Sequence, residues 1–360
     1  MDNLQLNPIQ QQVHDHIIDW FKSDGNLLTL GGYAGTGKTT LIGVTIDDLK
    51  QNKAIRVAFC AYTGKASTVL KSKLRMMSDD YCGTIHGLIY EMVGKFAGKP
   101  IFERRDHIDY DLIVIDEASM IDSQIFNDLQ SYGIPILAVG DHGQLPPING
   151  KLNLMENPDI KLEQIMRQEE GNPIVRLATM ARVSGDIPIG DYGQNVRKIV
   201  GMNYLRDFIV PDVIILAAMN KTRVNINHFM RSTLDLKDAP KQGEPVICLR
   251  NNRFAGIYNG NISNLISIKI SGKYYSIETD LPYSGTVLKE QFGSKYTCNV
   301  EGVDLFDWAY CITTHKAQGS EFDNVILIEE RMSQMDDDNW RRWLYTGVTR
   351  ARKCLTIIKK

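Results

Sequence analysis

The chain has 360 residues, 41 basic against 43 acidic for a formal charge of −2, with 43% hydrophobic and 23% charged positions. That balance excludes a mostly disordered chain, a low-complexity or collagen-like fibre, and the global basic field of a protein that coats nucleic acid, so any strand would need a local groove. The length predicts two large domains, while short apolar runs and the lack of a basic-then-apolar start predict a cytoplasmic protein with no membrane partner.

In chain order, short apolar runs at 27–30, 55–61, 111–115 and 134–139 alternate with segments of helical spacing. A second series follows at 213–218, 324–328 and 354–358, beyond a helical-looking stretch at 172–183. Strands alternating with helices predict two α/β domains with parallel sheets, 1–170 and 171–360. Inside the first, the segment 88–110 carries two aromatic-containing runs around Gly98-Lys99-Pro100, which predicts a hairpin or tight loop holding Phe96 and Phe102 among Lys95, Lys99, Arg104 and Arg105. Inside the second, over 242–303, Ile262, Asn264, Ile266, Ile268 and Ile270 alternate with Ser263, Leu265, Ser267 and Lys269 before a Ser271-Gly272-Lys273 turn. A period of two predicts an antiparallel β insertion. Cys60, Cys82, Cys248, Cys298, Cys311 and Cys354 form no C-x-x-C pair, so reduced thiols are expected rather than a zinc site or disulfides.

The sharpest signal is Gly32-Tyr33-Ala34-Gly35-Thr36-Gly37-Lys38-Thr39, a full G-x-x-x-x-G-K-T between the strand at 27–30 and a helix predicted over 38–49. Gly32, Gly35 and Gly37 let backbone N–H groups turn toward phosphates, and the helix N-terminus adds its positive dipole end. Lys38 reaches the β- and γ-phosphates, Thr39 can ligate magnesium, and Thr36 and Thr40 are further candidate nucleotide contacts. Downstream, the run at 112–115 ends in Asp116-Glu117, two carboxylates where ligands gather on a parallel sheet. In a P-loop ATPase Asp116 would hold Mg²⁺ and Glu117 would orient or deprotonate the attacking water. ATP and Mg²⁺ are therefore expected.

What the ATP drives must come from other segments. Gly140-Asp141-His142-Gly143-Gln144-Leu145-Pro146-Pro147-Ile148, Thr313-Thr314-His315-Lys316-Ala317-Gln318-Gly319-Ser320-Glu321-Phe322 and Thr346-Gly347-Val348-Thr349-Arg350-Ala351-Arg352 complete a constellation. With them the chain resembles superfamily 1 DNA helicases of the RecD/Dda-like branch, from Leu6-Asn7-x-x-Gln10 to Ala351. The resemblance implies two RecA-like motor domains, a small SH3-like barrel for the β insertion and a pin for the hairpin, both short. It implies that Gln10 reads adenine, Gln144 senses the γ-phosphate, Glu321 faces the nucleotide sugar, and Arg167 and Arg350 are the two phosphate arginines. Such a cation neutralises charge developing in phosphoryl transfer and is worth about 10³ to 10⁵ in rate in other P-loop enzymes.

Tyr62-Thr63-Gly64-Lys65-Ala66-Ser67 and Gly83-Thr84-Ile85-His86-Gly87 resemble the family's strand-binding segments. Hydroxyls and backbone amides hold phosphates without reading bases, which makes Thr63, Lys65, His86, Thr314, His315 and Lys316 the candidates, with Phe96 and Phe102 as stacking residues at the point of strand opening. The function implied is ATP-dependent translocation on single-stranded DNA, 5′-to-3′, with unwinding of fork or tailed duplexes in replication, recombination or repair, by a monomer that works alone or with replication or recombination proteins. Two alternatives stay open: a single-strand translocase or RNA helicase that opens DNA poorly, and a nucleotide-dependent binding switch.

Overall fold

The computed structural model describes residues 6–62, 64–96, 99–146, 152–164, 171–236, 239–252, 255–281 and 283–360; of residues 65, 69, 95, 96, 99 and 100 the backbone alone is described. The chain forms two compact units, 1–175 and 176–360.

The first unit runs α1 (Pro8–Lys22), β1 (Leu27–Gly32), α2 (Lys38–Asn52), β2 (Val57–Ala61), α3 (Gly64–Lys73), β3 (Tyr81–Thr84), α4 (Ile85–Ile89), β4 (Tyr90–Phe96), β5 (Lys99–Arg104), β6 (Leu112–Asp116), α5 (Ser123–Gln130), β7 (Ile136–Gly140) and β8 (Ile160–Leu162). Its main sheet has the order β3-β2-β6-β7-β1-β8 and every pairing is parallel. One face buries Ile17, Leu30, Leu41 and Ile46, the other Ile85, Ile113, Ile115 and Phe126. Covering both faces explains why β2 and β7 are buried at every position and read as unbroken apolar runs. The edge strands β3 and β8 carried no such signal.

The chain crosses the boundary in α6 (Pro173–Ser184) and continues through β9 (Gly190–Gly193), β10 (Val196–Val200), β11 (Val213–Ala217), α7 (Asn220–Thr233), β12 (Pro245–Cys248), β13 (Ile262–Ser271), β14 (Tyr274–Thr279), β15 (Tyr283–Leu288), β16 (Phe306–Trp308), β17 (Cys311–Thr313), β18 (Phe322–Glu329), α8 (Asp337–Val348) and β19 (Ala351–Lys359). The sheet order is β17-β11-β18-β19-β10-β9, parallel except for the antiparallel edge strand β9.

A separate antiparallel sheet, β15-β14-β13-β12-β16, forms where the period of two predicted it, but its last strand lies beyond residue 303. The side chains facing inward differ from a simple alternating isoleucine face. Ser263 and Leu265 are buried, whereas Ile266 is 50% and Ile270 68% exposed. A bulge between Leu265 and Ser267 resets the register, and a one-residue shift exchanges the faces of a strand. Two Arg–carboxylate pairs fasten this sheet to α7: Arg223 binds Asp307, and Arg231 Nε lies 2.7 Å from Glu244 Oε1 while its guanidinium stands 4.2 Å above the Trp308 ring. Both pairs are buried, so removing one partner would strand a charge in the interior.

All six cysteines are free thiols. Among the described residues no group of three or more His, Cys, Asp and Glu side chains could hold a metal ion, and no helix is long and apolar enough to cross a membrane.

Candidate nucleotide and strand site

In a parallel sheet the register fixes which strand ends share an edge. Gly31 of β1 pairs with Gly140 of β7, Ile115 of β6 with Ala138 of β7, and Ala61 of β2 with Asp116 of β6. The P-loop, Asp116-Glu117, the Gly140–Gln144 turn, Tyr62 and, beyond β3, His86 therefore all leave the C-terminal edge of the first sheet. One strand, β7, separates β1 from β6, which sets Asp116 about 10 Å across the sheet from the P-loop strand.

The P-loop bends through Gly35 (φ 79°) and Gly37 (φ 77°), left-handed conformations open to glycine. Gly37 is the N-cap of α2, so the helix amides open toward the loop. Lys38 Nζ donates to the carbonyl oxygens of Gly32 (2.6 Å) and Tyr33 (2.9 Å), and the Thr36 hydroxyl donates to Tyr33 O at 2.8 Å. A Cβ on Gly32 would stand 2.9 Å from Thr36 Oγ1 and 3.0 Å from Lys38 Cδ. The concavity thus has room for backbone amides to face a phosphate but none for a side chain at Gly32. From outside, Gln10 Nε2 donates to Thr36 O at 3.2 Å.

Asp116 ends β6 half-buried and accepts from the Glu117 amide at 3.0 Å. Glu117 sits at φ 55° before a single 3₁₀ turn, Ala118–Met120. A left-handed Glu costs of order 1–3 kcal/mol, strain of the kind that collects at functional sites. Beyond β7, the Asp141 carboxylate accepts from the Gly143 amide at 2.9 Å and from Gln144 Nε2 at 3.3 Å, folding the Gln144 turn on itself. His142 lies 4.1 Å from the Tyr33 ring, centroid to centroid, and ties this turn to the P-loop; burial pushes its imidazole below the ordinary range. Neither Tyr33 nor His142 was a sequence candidate, although both lie inside motifs. Hard oxygens on Thr39 and Asp116 suit Mg²⁺, which takes one or two protein oxygens alongside substrate phosphates.

Strand candidates fare unevenly. Thr63 and Arg167 lie outside the described residues, as do the side chains of Lys65 and Phe96. His86, on α4, is half-buried with its ring 5.4 Å from Tyr90. Phe102 is half-buried on β5 opposite Met92 of β4, so the predicted strands do pair. Thr314 is 0% exposed, its hydroxyl donating to Ala217 O at 3.5 Å. His315 is half-buried, and burial lowers its pKa. Lys316 Nζ donates to Asn259 Oδ1 at 3.1 Å, and burial, reinforced by Arg223, pushes its ammonium down to about 8. Asn259, on the loop before β13, was not among the sequence candidates for the strand site.

Arg350 is 3% exposed and donates to Thr346 O (3.0 Å), Ser320 O (3.1 Å) and Thr349 Oγ1 (3.1 Å), none of them charged. The Phe322 amide donates to Arg350 O at 2.8 Å, which brings the exposed Glu321 beside it. Thr313 lies level with Ala217, whereas Phe322 pairs with Ala351 below Val213 and Asn324, levels about 20 Å apart along the strands. The turns of residues 314–321 run between those levels, with Lys316 near their start and Ser320, which Arg350 holds, near their end.

A family model described as an AAA domain matches residues 5–199, and one described as a UvrD-like helicase C-terminal domain matches 308–358. The chain is 28% identical over 362 residues to the ATP-dependent RecD2 DNA helicase of Deinococcus radiodurans, covering 91% of this chain and 46% of that protein. It is 27% identical over 221 residues to the ATP-dependent DNA helicase dda of Enterobacteria phage T4, covering 56% and 48%. The chain thus spans about half the length of these relatives. Among solved structures, the Bacteroides Pif1 helicase in complex with ADP-AlF3 and ssDNA shares the fold, with a TM-score of 0.60 at 18% identity over 99% of this chain and 92% of that one.

Proposed function

We propose, for a chain that belongs to the AAA domain family and to the RecD/Dda-like branch of superfamily 1 helicases, that it is an ATP-dependent DNA helicase moving 5′-to-3′ along single-stranded DNA and unwinding fork or tailed duplexes. The observation that carries this is the shared edge of one parallel sheet on which the P-loop, Asp116, Glu117 and Gln144 emerge together.

Lys38 leaves the Gly32 and Tyr33 carbonyls for the β- and γ-phosphates, a charge-for-charge gain over two neutral acceptors. Gln10 turns its carboxamide to the adenine. Thr39 and Asp116 would hold Mg²⁺, which when bound supplies charge neutralisation on the phosphate oxygens. Glu117 takes the proton of the attacking water, and Gln144 senses the γ-phosphate. Arg167 and Arg350 neutralise the transferred phosphoryl group, and Glu321 faces the ribose. Thr63, Lys65, His86, His315 and Lys316 contact the strand backbone. The antiparallel sheet serves as the SH3-like element and the β4–β5 hairpin as the pin that parts the duplex. Replication, recombination or repair is the process, and a monomer suffices.

ATP turnover measured with and without single-stranded DNA or RNA of equal length tests the motor. DNA-stimulated turnover with opening of a tailed duplex is expected. Stimulation without opening would favour a strand translocase, preference for RNA an RNA helicase, and slow turnover indifferent to either strand a nucleotide-dependent switch.

A further inference from the structure

Lys316 lies half-buried in the 3₁₀ turn Thr314–Ala317, and among the described residues its side-chain acceptor is Asn259 Oδ1, 3.1 Å from Nζ. An ammonium carries three N–H donors, so Asn259 engages one and leaves two. Among the described residues Lys316 enters no ion pair, and nearby Asp307 is committed to Arg223 and to the Gly293 and Trp308 amides. Burial and Arg223 push the ammonium down to about 8, against the opposing pull of Cys248 and Asp307. A carboxylate at 259 would offset that desolvation better. An amide instead orients the side chain without cancelling its charge, which stays available for an anion.

The amide is itself held in place by backbone. In the Tyr258–Asn261 turn the Asn261 amide donates to Tyr258 O at 2.9 Å and the Tyr258 amide to Asn261 Oδ1 at 2.6 Å. The end of β12 grips the turn from both sides, Cys248 N donating to Asn261 O at 2.8 Å and Gly260 N to Cys248 O at 2.9 Å, while the Asn259 amide donates to Asn251 Oδ1 at 2.7 Å. Gly260, at φ 91°, lies close enough to the 3₁₀ turn that a Cβ on it would stand 3.7 Å from Lys316 O. None of these bonds uses the Asn259 side chain, whose Oδ1 accepts from Lys316. We propose that Asn259 is a positioning residue for single-strand binding: anchored in the antiparallel sheet, it holds the Lys316 ammonium by one N–H and leaves the other two, with the full positive charge, to a phosphate of the strand. This rests on reading Lys316 as a strand contact.

The test measures affinity for a single-stranded thymidine oligonucleotide across salt concentration and pH, with melting temperature beside it. The proteins compared are wild type, Asn259→Ala, Asn259→Asp, Lys316→Ala and the Asn259→Ala/Lys316→Ala double variant. Asn259→Ala should bind about tenfold more weakly, the scale of one hydrogen bond to a charged group, melt like wild type, and add nothing in the Lys316→Ala background. Asn259→Asp keeps the acceptor but cancels the charge. It should bind more weakly still and lose about as much salt dependence as Lys316→Ala, the share of one phosphate contact. Its affinity should also stop falling between about pH 7 and pH 9, because a carboxylate raises the ammonium's pKa beyond that window. Wild-type affinity in Asn259→Ala, a loss of affinity matched by earlier melting, a full further loss in the double variant, or a wild-type pH profile in Asn259→Asp would each overturn the proposal. Wild-type affinity in Lys316→Ala would overturn the strand reading of Lys316 and the proposal with it, whereas a weakened Lys316→Ala beside an unaltered Asn259→Ala would overturn the proposal alone.

Discussion

Gln10 fastens helix α1 to the P-loop by donating from Nε2 to the carbonyl oxygen of Thr36, 3.2 Å away. The same side chain closes a capping box, its Oε1 accepting from the Asn7 amide at 3.2 Å while Asn7 Oδ1 accepts from the Gln10 amide at 2.8 Å. One carboxamide therefore caps a helix and tethers the phosphate loop, and an adenine would compete with both bonds.

The two duties can be separated. Gln10→Glu keeps an acceptor for Asn7 but loses the N–H toward Thr36 or a base, so ATP KM should rise about tenfold with little change in melting temperature. Gln10→Ala should add a loss of about 1 kcal/mol from the cap. Thermal melting beside an ATP titration reads both, and an unchanged KM in Gln10→Glu would exclude a base contact.

Lys38→Ala removes the ammonium that now bridges Gly32 O and Tyr33 O, and turnover should vanish in a folded protein. Glu117→Gln should instead bind ATP normally and stall, because the Asp116 carboxylate survives while the water loses its base. Binding of a fluorescent ATP analogue set against steady-state turnover distinguishes the two variants. Collapse of affinity in Glu117→Gln would show that the acids do not divide their work this way.

Arg350→Ala should lower kcat far more than ATP affinity if the guanidinium acts as charge develops. Its bonds to Thr346, Ser320 and Thr349 also hold two turns together, so some stability will go with it. Arg350→Lys keeps the charge and loses the fork. Recovery of stability without recovery of kcat in Arg350→Lys would single out phosphate geometry, whereas equal losses of kcat and affinity would mean ground-state binding or folding.

Phe102 lies half-buried on a two-stranded ribbon on which Met92 and Ile101 are exposed. A stacking contact with an opening base is worth about 1 to 3 kcal/mol, so Phe102→Ala should slow duplex opening while leaving DNA-stimulated ATPase largely intact. Phe96→Ala belongs in the same assay. Unchanged unwinding in both would reduce the ribbon to packing.

Lys316 gives a pH signature. Burial lowers its pKa to about 8, with Arg223 adding repulsion and Asp307 and Cys248 partly offsetting it, while Asn259 accepts from it. A phosphate is held by the protonated form, which is full below that pKa and lost above it. Single-strand affinity should therefore weaken between about pH 7 and pH 9 at constant ionic strength, more steeply than in Lys316→Arg, whose charge persists. Parallel profiles in the two proteins would remove Lys316 from the strand contact.

The P-loop and the acids after β6 were legible in the sequence because their requirements are local: a glycine is needed wherever φ is positive, and strands buried on both faces must be apolar at every position. The antiparallel sheet announced itself by its period, yet which face it buried did not follow, because one bulge near Ile266 depends on the partner strand. Short edge strands such as β3, β8 and β9 bury too little to pattern the chain. Motif spelling named Thr314, Lys316 and Arg350 together; only the tertiary structure turned the first toward Ala217, set the second against Asn259 and tied the third to Ser320. Side-chain direction is decided by partners far along the chain, which is why Tyr33 against His142 and Asn259 against Lys316 emerged from the tertiary structure alone.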